Sequence, residues 1–119
     1  MKIRFGYLYA ADMNPRVRSK PGKVRPVVVV QSSAVIEAGS PGIVIVPTTS
    51  RVAEENPLRV HFPAGVAGNR VGSDVLVDQV HTLDRTLFRK ELGPVPREHM
   101  AKILAGLALL LGENPDDGR

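Results

Sequence analysis

The chain of 119 residues is long enough for one domain, predicted over residues 1–112 and followed by a polar tail at 113–119, and its 43% hydrophobic and 24% charged residues are an ordinary globular balance. No cysteine is present, which excludes disulfides and thiolate metal sites, and the three histidines lack metal-binding spacing. The net charge of +4 is uneven, because residues 1–25 contain seven Lys and Arg against one Asp and so carry +6, a charge that attracts polyanions.

The first element is a strand, since the N-terminal sequence MKIRFGYLYAAD has the pattern of a strand rather than of a signal peptide. No run of about 18 apolar residues is present, so we expect a cytoplasmic protein without a membrane span. Short β-branched and aromatic runs separated by turn residues predict a small sheet or barrel. The predicted strands are 3–11, 25–31, 43–47, 58–62, 75–80 and 88–93.

Three of these strands have informative patterns. The runs VVVV and IVIV are apolar on both faces, which predicts central strands covered on two sides by a helix or by a second subunit. In LRVHF, the apolar residues Leu58, Val60 and Phe62 alternate with Arg59 and His61. This alternation predicts a half-buried strand whose polar face is turned outward.

One helix is predicted at 97–111, after Pro96 and before Gly112, where a left-handed cap is easy. Its apolar stripe follows helical spacing and consists of Met100, Ile103, Leu104, Leu107 and Leu111. Gly106 costs the helix about 1 kcal/mol relative to alanine, which indicates close packing at that point.

Two shorter helical turns are also predicted. One spans 33–38, before the turn sequence GSPG. The other spans 82–88, where Thr82 or Asp84 is the candidate N-cap.

Polar groups stand at the ends of three apolar strands. Arg25 precedes Pro26, whose ring favours an extended backbone before it, so the guanidinium is well placed to bind a phosphate bidentately. A surface arginine paired with a carboxylate is the alternative.

The segment IVIVPTTSR ends in three hydroxyls that can donate to a phosphoryl oxygen or cap a turn: Thr48, Thr49 and Ser50. The segment DVLVDQVHTLDR contains three groups suited to proton transfer, base recognition or structural hydrogen bonds: Asp78, Gln79 and His81.

Taken in order, the segments GYLYAADMNP, GKVRPVVVVQS, VIVPTTS and VLVDQVHTLDR, followed by an amphipathic helix, resemble the MazF/PemK family of toxin endoribonucleases. The resemblance covers nearly the whole chain. It implies a mainly β fold with helices, an SH3-like barrel of the MazF/PemK/CcdB type with a C-terminal amphipathic helix. It also implies a homodimer, an acidic antitoxin partner, and cleavage of single-stranded RNA that needs no metal or cofactor.

The resemblance assigns roles to individual residues. Arg25 matches the family's catalytic arginine, and Thr49 rather than Thr48 matches its catalytic threonine. Asp78 falls where some members have an acidic residue in the site, and Gln79 and His81 beside it are further candidates for proton transfer or base reading. The implied RNA-binding residues are Asn14, Arg16, Arg18, Ser19, Lys20, Lys23 and Ser50.

The sequence also departs from the family pattern. Residues 18–21 read Arg-Ser-Lys-Pro where the family usually has a glutamate, so the source of the general base is open. His81 replaces a common arginine, and Tyr7 replaces a common acidic residue. Two alternatives remain open, a CcdB-like toxin that inhibits a protein such as gyrase and a catalytically silent RNA-binding barrel.

Overall fold

The structure is a computed structural model that describes residues 1–13 and 23–119, and it confirms a mainly β fold with a C-terminal helix. The strands are β1 Tyr7–Asp12, β2 Val24–Val29, β3 Gly42–Thr49, β4 Arg59–Phe62, β5 Ser73–Leu76, β6 His81–Asp84 and β7 Phe88–Pro94. The α-helices are α1 Ser33–Glu37 and α2 Arg97–Leu110, and the 3₁₀ turns are Val66–Gly68, Val77–Gln79 and Arg85–Leu87. None of the described helices is long and apolar enough to cross a membrane.

The strands form one antiparallel sheet in the order β4-β5-β3-β2-β1-β7, and β6 also pairs with β3. Strand β5 pairs with the end of β3, at Thr48 and Thr49, whereas β6 pairs with its start. The turn Val77–Gln79 connects these two strands along the same edge of β3. The end of β3 is therefore bordered by β2 on one side and by β5 and this turn on the other.

Both faces of the central strands are covered within the described chain. Val28 and Val46 point to one core, which α2 closes with Ile103. Val27 and Ile45 point to a second core on the opposite face, formed with residues of the N-terminal segment, α1 and β6. The prediction that the VVVV and IVIV runs are covered on two sides is confirmed, and a helix supplies cover on each face.

The two ends of the strand order meet through a close backbone contact. The turn after β4 includes Gly68, which has a φ of +78°, and a Cβ atom there would overlap the carbonyl group of Leu92 in β7. A Cβ on Gly93 would lie 2.9 Å from the carbonyl oxygen of Ala67. The sheet is thus curled, as a small barrel requires, and glycine permits the approach of β7 to this turn.

Helix α2 packs on β4 and on the turn Val77–Gln79 with a narrower apolar stripe than predicted. Met100, Ile103 and Gly106 are buried, but Leu104 and Leu111 are 42% and 59% exposed. Leu104 lies one residue past the buried stripe, a rotation of about 100° around the helix, and Leu111 lies beyond the helix end. The predicted left-handed cap is wrong, because Leu111 is extended and Gly112 has no positive φ.

The segment from 75 to 88 differs from its prediction. A single strand over 75–80 is wrong, since β5 ends at Leu76 and a 3₁₀ turn follows. The predicted helical turn over 82–88 is only three residues long, and Thr82 lies in β6 rather than at a cap. Asp84 is the N-cap, accepting a hydrogen bond from the Thr86 N–H at 2.9 Å. Strand β6 is four residues long and only one of its side chains is buried, so its sequence has no alternating pattern from which a strand could be predicted.

Two elements near the N-terminus agree better with expectation. The strand predicted over 3–11 begins only at Tyr7, because the preceding Gly6 has a φ of +78°. The helical turn predicted over 33–38 is confirmed as α1, whose N-cap Ser32 accepts from the Val35 N–H.

Gly106→Ala tests the packing of α2. Alanine in an open helix stabilises by up to about 1 kcal/mol, but its methyl group here would overlap the Pro57 carbonyl oxygen, and overpacking costs about 1–3 kcal/mol. We expect a net loss of about 1–2 kcal/mol in the free energy of unfolding, measured with urea. Gly112→Ala is the control, since its methyl group would meet only the Asp117 side chain at 3.7 Å. An unchanged midpoint for Gly106→Ala would contradict the close contact.

Candidate active site

Arg25 and Thr49 lie side by side, at the start of β2 and the end of β3. The ladder between these strands pairs Val28 with Val46 and Val27 with Pro47. Continuing this register by two residues places Arg25 opposite Thr49. Side chains of directly opposed residues point to the same face of a sheet, so the guanidinium and the hydroxyl share one face.

A side-chain hydrogen bond maintains this register where the backbone ladder ends. Pro26 and Pro47 have no N–H to donate, but the Thr48 hydroxyl donates to the Pro26 carbonyl oxygen at 2.8 Å. Thr48 is buried and its hydroxyl is occupied by this bond. Thr49 is half-buried, and its hydroxyl oxygen accepts from the Arg51 N–H at 3.2 Å, so its O–H can still donate to a ligand.

The two side chains open into a cleft of about 410 Å³. Its described lining consists of Met13, Lys23, Arg25, Pro47, Thr48, Thr49, Leu76, Gln79 and His81. Lys23 and Arg25 are cations, and the described lining contains no carboxylate. The cleft therefore favours an anionic ligand that accepts hydrogen bonds.

The other candidates differ in their positions. Asp78 and Ser50 are exposed and are not part of the described lining. His81 is held by its own turn, because its Nδ1 lies 2.8 Å from the Gln79 carbonyl oxygen. The proposed RNA-binding residues Asn14, Arg16, Arg18, Ser19 and Lys20 lie outside the described residues. Within 1–13 and 23–119, no group of three or more acidic or His side chains that could hold a metal is present.

Asp74 is a buried residue next to Thr49 that the sequence analysis did not single out. It pairs with Thr49 on one side and with His61 on the other, which extends the row that begins at Arg25. Its side chain is 1% exposed, and its carboxylate lies 2.6 Å from Arg59 Nε and 2.9 Å from His61 Nδ1. The predicted alternation is confirmed, because Val60 and Phe62 are buried while Arg59 and His61 are partly exposed. The sequence did not show that this polar face also binds a buried carboxylate.

The hydrogen bonds outweigh burial in setting the ionisation of Asp74. Burial raises the pKa of this carboxyl group. The hydrogen bonds from the Ala53 N–H, the Arg59 guanidinium and the His61 ring together lower the pKa by more than burial raises it, so the pKa lies below its ordinary value. Asp74 is therefore an anion in the folded protein at neutral pH.

This network also fixes the chain that follows Thr49. The Ala53 N–H donates to Asp74 at 2.9 Å, and the Arg59 guanidinium donates to the Arg51 carbonyl oxygen. Because the Arg51 N–H in turn donates to the Thr49 hydroxyl, the buried carboxylate indirectly orients that side chain.

Asp74→Asn should destabilise the fold. Removing one partner of a buried ion pair costs about 3–5 kcal/mol, but the Arg59 side chain is 23% exposed, so we expect about 2–3 kcal/mol in urea unfolding at neutral pH. Since the folded pKa is lowered, the contribution is complete above the unfolded value of about 3.9 and is lost as the pH falls through the folded value.

The difference between wild type and Asp74→Asn should therefore narrow in acid. Asp116→Asn is the matched control, because Asp116 is 77% exposed and its change should leave stability nearly unaltered. An Asp74→Asn protein as stable as this control would show that the network contributes nothing.

Comparison with known proteins identifies the family. A sequence profile for PemK-like, MazF-like toxins of type II toxin-antitoxin systems matches residues 4–111. Endoribonuclease EndoA of Bacillus subtilis (strain 168) is 29% identical over 112 residues, which cover 93% of this chain and 96% of that protein. MazF (Form-I) from Deinococcus radiodurans is 28% identical, with a TM-score of 0.75, over 95% of this chain and 99% of that chain.

A more distant structure shares the fold. An endoribonuclease from a mycobacterial species, solved in complex with its cognate antitoxin, is 22% identical with a TM-score of 0.75, over 95% of this chain and 98% of that chain. Since the family profile spans nearly the whole sequence, this chain belongs to the PemK-like, MazF-like toxins of type II toxin-antitoxin systems.

Proposed function

We propose that this toxin is an endoribonuclease that cleaves single-stranded RNA at a phosphodiester bound between Arg25 and Thr49. The observation that supports this most directly is the shared row and cleft of these two side chains, beside Lys23. A guanidinium and a hydroxyl on one face suit the charged and non-bridging oxygens of a phosphate. The name of the B. subtilis relative, an endoribonuclease, supports the same reaction class.

The reaction uses the RNA's own nucleophile. The 2'-hydroxyl oxygen attacks the adjacent phosphorus in line, and the bond from phosphorus to the 5'-oxygen breaks. The products are a 2',3'-cyclic phosphate and a 5'-hydroxyl. Arg25 stabilises the negative charge that develops on the phosphoryl oxygens, and Thr49 donates a hydrogen bond to one of them. These groups allow the reaction to proceed without a metal, so cleavage should persist in EDTA.

The surrounding polar residues hold the rest of the strand. Lys23 lines the cleft directly. We expect the basic N-terminal segment to bind the flanking phosphates through Asn14, Arg16, Arg18, Ser19 and Lys20, together with Ser50, which directly follows β3. We expect Gln79 and His81, which line the cleft, and the neighbouring exposed Asp78 to serve proton transfer or to contact base edges, which are accessible in unpaired RNA.

Two partners follow from this function. A type II system pairs the toxin with an antitoxin protein, and the charge of +6 on residues 1–25 favours an acidic segment that covers the RNA cleft. We also propose a homodimer. Leu104 and Leu109 of α2 are 42% and 66% exposed, and a second copy of the chain would cover these apolar side chains. The protein would act in the cytoplasm, where its RNA substrates are made.

One incubation distinguishes this function from its alternatives. A long mixed-sequence RNA is treated with the protein in EDTA, and its 5' ends are mapped. Endoribonuclease activity predicts new 5'-hydroxyl ends at a short recurring sequence. A toxin that inhibits a protein such as gyrase would leave the RNA unchanged and unbound, and a silent RNA-binding barrel would bind without producing ends.

Arg25→Ala tests the main catalytic role. A placed electrostatic donor contributes about 3–4 kcal/mol to the transition state, or 10² to 10³ in rate, so the variant should cleave labelled RNA at least about 10²–10³-fold more slowly. Thr49→Val, which keeps the shape of the side chain and loses the hydroxyl, should be slowed by about 10²-fold. Circular dichroism should show an intact fold in both. Arg97→Ala, an exposed arginine at the start of α2, is the control and should cleave normally. Cleavage by Arg25→Ala at the wild-type rate would refute the assignment.

Lys23→Ala tests the electrostatic contact with RNA. A lysine that neutralises a phosphate releases a counterion, so its loss should weaken binding at all sequences and reduce the dependence of log Kd on log salt by about one unit. The measurement uses Arg25→Ala as background, so that the RNA is not cut during titration. Lys90→Ala, an exposed lysine on β7 outside the cleft lining, provides the comparison. If the slope does not change on removing Lys23, that side chain does not contact the RNA.

A further inference from the structure

The position of the His81 ring determines which of its nitrogens can accept a proton. Its Nδ1 lies 2.8 Å from the backbone carbonyl oxygen of Gln79. A carbonyl oxygen can only accept a hydrogen bond, so Nδ1 must carry the hydrogen. In the neutral ring the lone pair is then on Nε2. A turn of the backbone thus fixes the tautomer and leaves the basic nitrogen for other contacts.

The ring is on the same face of the sheet as the phosphate-binding groups. His81 pairs with Ile45 of β3, and Thr49 lies four positions after Ile45 in the same strand, so the side chains of these residues point to one face. His81 lines the same cleft as Arg25 and Thr49. His81 therefore borders the same space as the groups proposed to bind the phosphate.

The other side chains of the described lining are poorer proton acceptors than the His81 ring. Lys23 and Arg25 are the charged groups that face His81 across the cleft, and cationic side chains have no lone pair to offer. The side-chain amide of Gln79 and the hydroxyl of Thr49 are not basic at neutral pH. An imidazole is the one basic side chain in this set whose neutral, proton-accepting form is common near pH 7.

We propose that His81 is the general base of the reaction, an inference that depends on the proposed RNA cleavage. Nε2 takes the proton from the 2'-hydroxyl as its oxygen bonds to phosphorus. The electron pair of the bond to the 5'-oxygen leaves with that oxygen, which is protonated by water. The imidazolium then returns its proton to solvent, and the ring is ready for another turnover.

His81→Asn is the most informative variant. Its amide nitrogen can replace Nδ1 as donor to the Gln79 carbonyl, so the turn is maintained while the basic nitrogen is lost. Asp78→Asn removes the other titratable candidate nearby. Arg97→Ala is the control for handling and fold. Single-turnover cleavage of a short RNA with the mapped cut site is measured from about pH 5 to pH 9, the range over which an imidazole changes its charge.

We expect the wild-type rate to rise with pH along an acidic limb, which Asp78→Asn and Arg97→Ala should keep. His81→Asn should lose this limb and be slower by about 10²-fold or more at neutral pH. If His81→Asn keeps the wild-type pH profile, whether or not RNA affinity falls, His81 is not the base and the cleavage assignment to Arg25 and Thr49 still stands. Loss of the limb in Asp78→Asn would also overturn the inference.

A modified substrate separates base from acid. When sulfur replaces the 5'-bridging oxygen, the leaving group is a thiolate that needs no proton, because thiols ionise at about pH 8.5. A general base is still needed for the 2'-hydroxyl, so the defect of His81→Asn should persist on this substrate. Recovery of the wild-type rate would make His81 the proton donor instead and overturn the inference. Failure of the wild-type protein to cut any RNA would reject the proposed function itself.

Discussion

The hydrogen bond from the Thr48 hydroxyl to the Pro26 carbonyl oxygen is the interaction on which the candidate site depends. Two prolines, Pro26 and Pro47, stand where β2 and β3 approach their ends, and neither can donate a backbone hydrogen bond. Without a substitute the strands could separate or slip, and a slip of one residue turns every side chain to the opposite face. The Thr48 hydroxyl adds a hydrogen bond between the two strands at this point, so Arg25 and Thr49 remain opposite each other while the rest of the strand end opens as a cleft.

The same face of the sheet changes from apolar to polar along β3. Ile43 and Ile45 lie in a closed core. Further along the strand on the same face, beyond Pro47, Thr49 lies in the row of Arg25 and Asp74. Burying Asp74 costs solvation, and its three donors offset that cost. A buried ion held by three hydrogen bonds is a rigid support. The chain after β3 is therefore anchored directly behind the threonine, which limits the rearrangement needed when a phosphate binds.

Local patterns predicted Arg25 and Thr49 because both are marked by neighbouring residues. A proline after the arginine and a proline before the two threonines show where apolar strands end, and the family resemblance assigned the roles. Asp74 could not be found in this way, because its partners Ala53 and Arg59 are 21 and 15 residues away in sequence. The alternation in LRVHF correctly placed Arg59 and His61 on one face, but only the pairing of β4 with β5 shows that this face covers a carboxylate. Strand β6 was missed for the related reason that pairing with β3, rather than its own sequence, defines it.

Two departures from the family pattern have a common consequence. The segment 18–21 lacks the usual glutamate, and the position after Val80 is a histidine where an arginine is common. The first change removes a carboxylate that could accept a proton, and the second replaces a permanent cation with a group that can do so. The second position is on a hydrogen-bonded strand beside a 3₁₀ turn. A base located there is held by the sheet that also holds Arg25 and Thr49, so the groups proposed to act on one phosphodiester share a single rigid support.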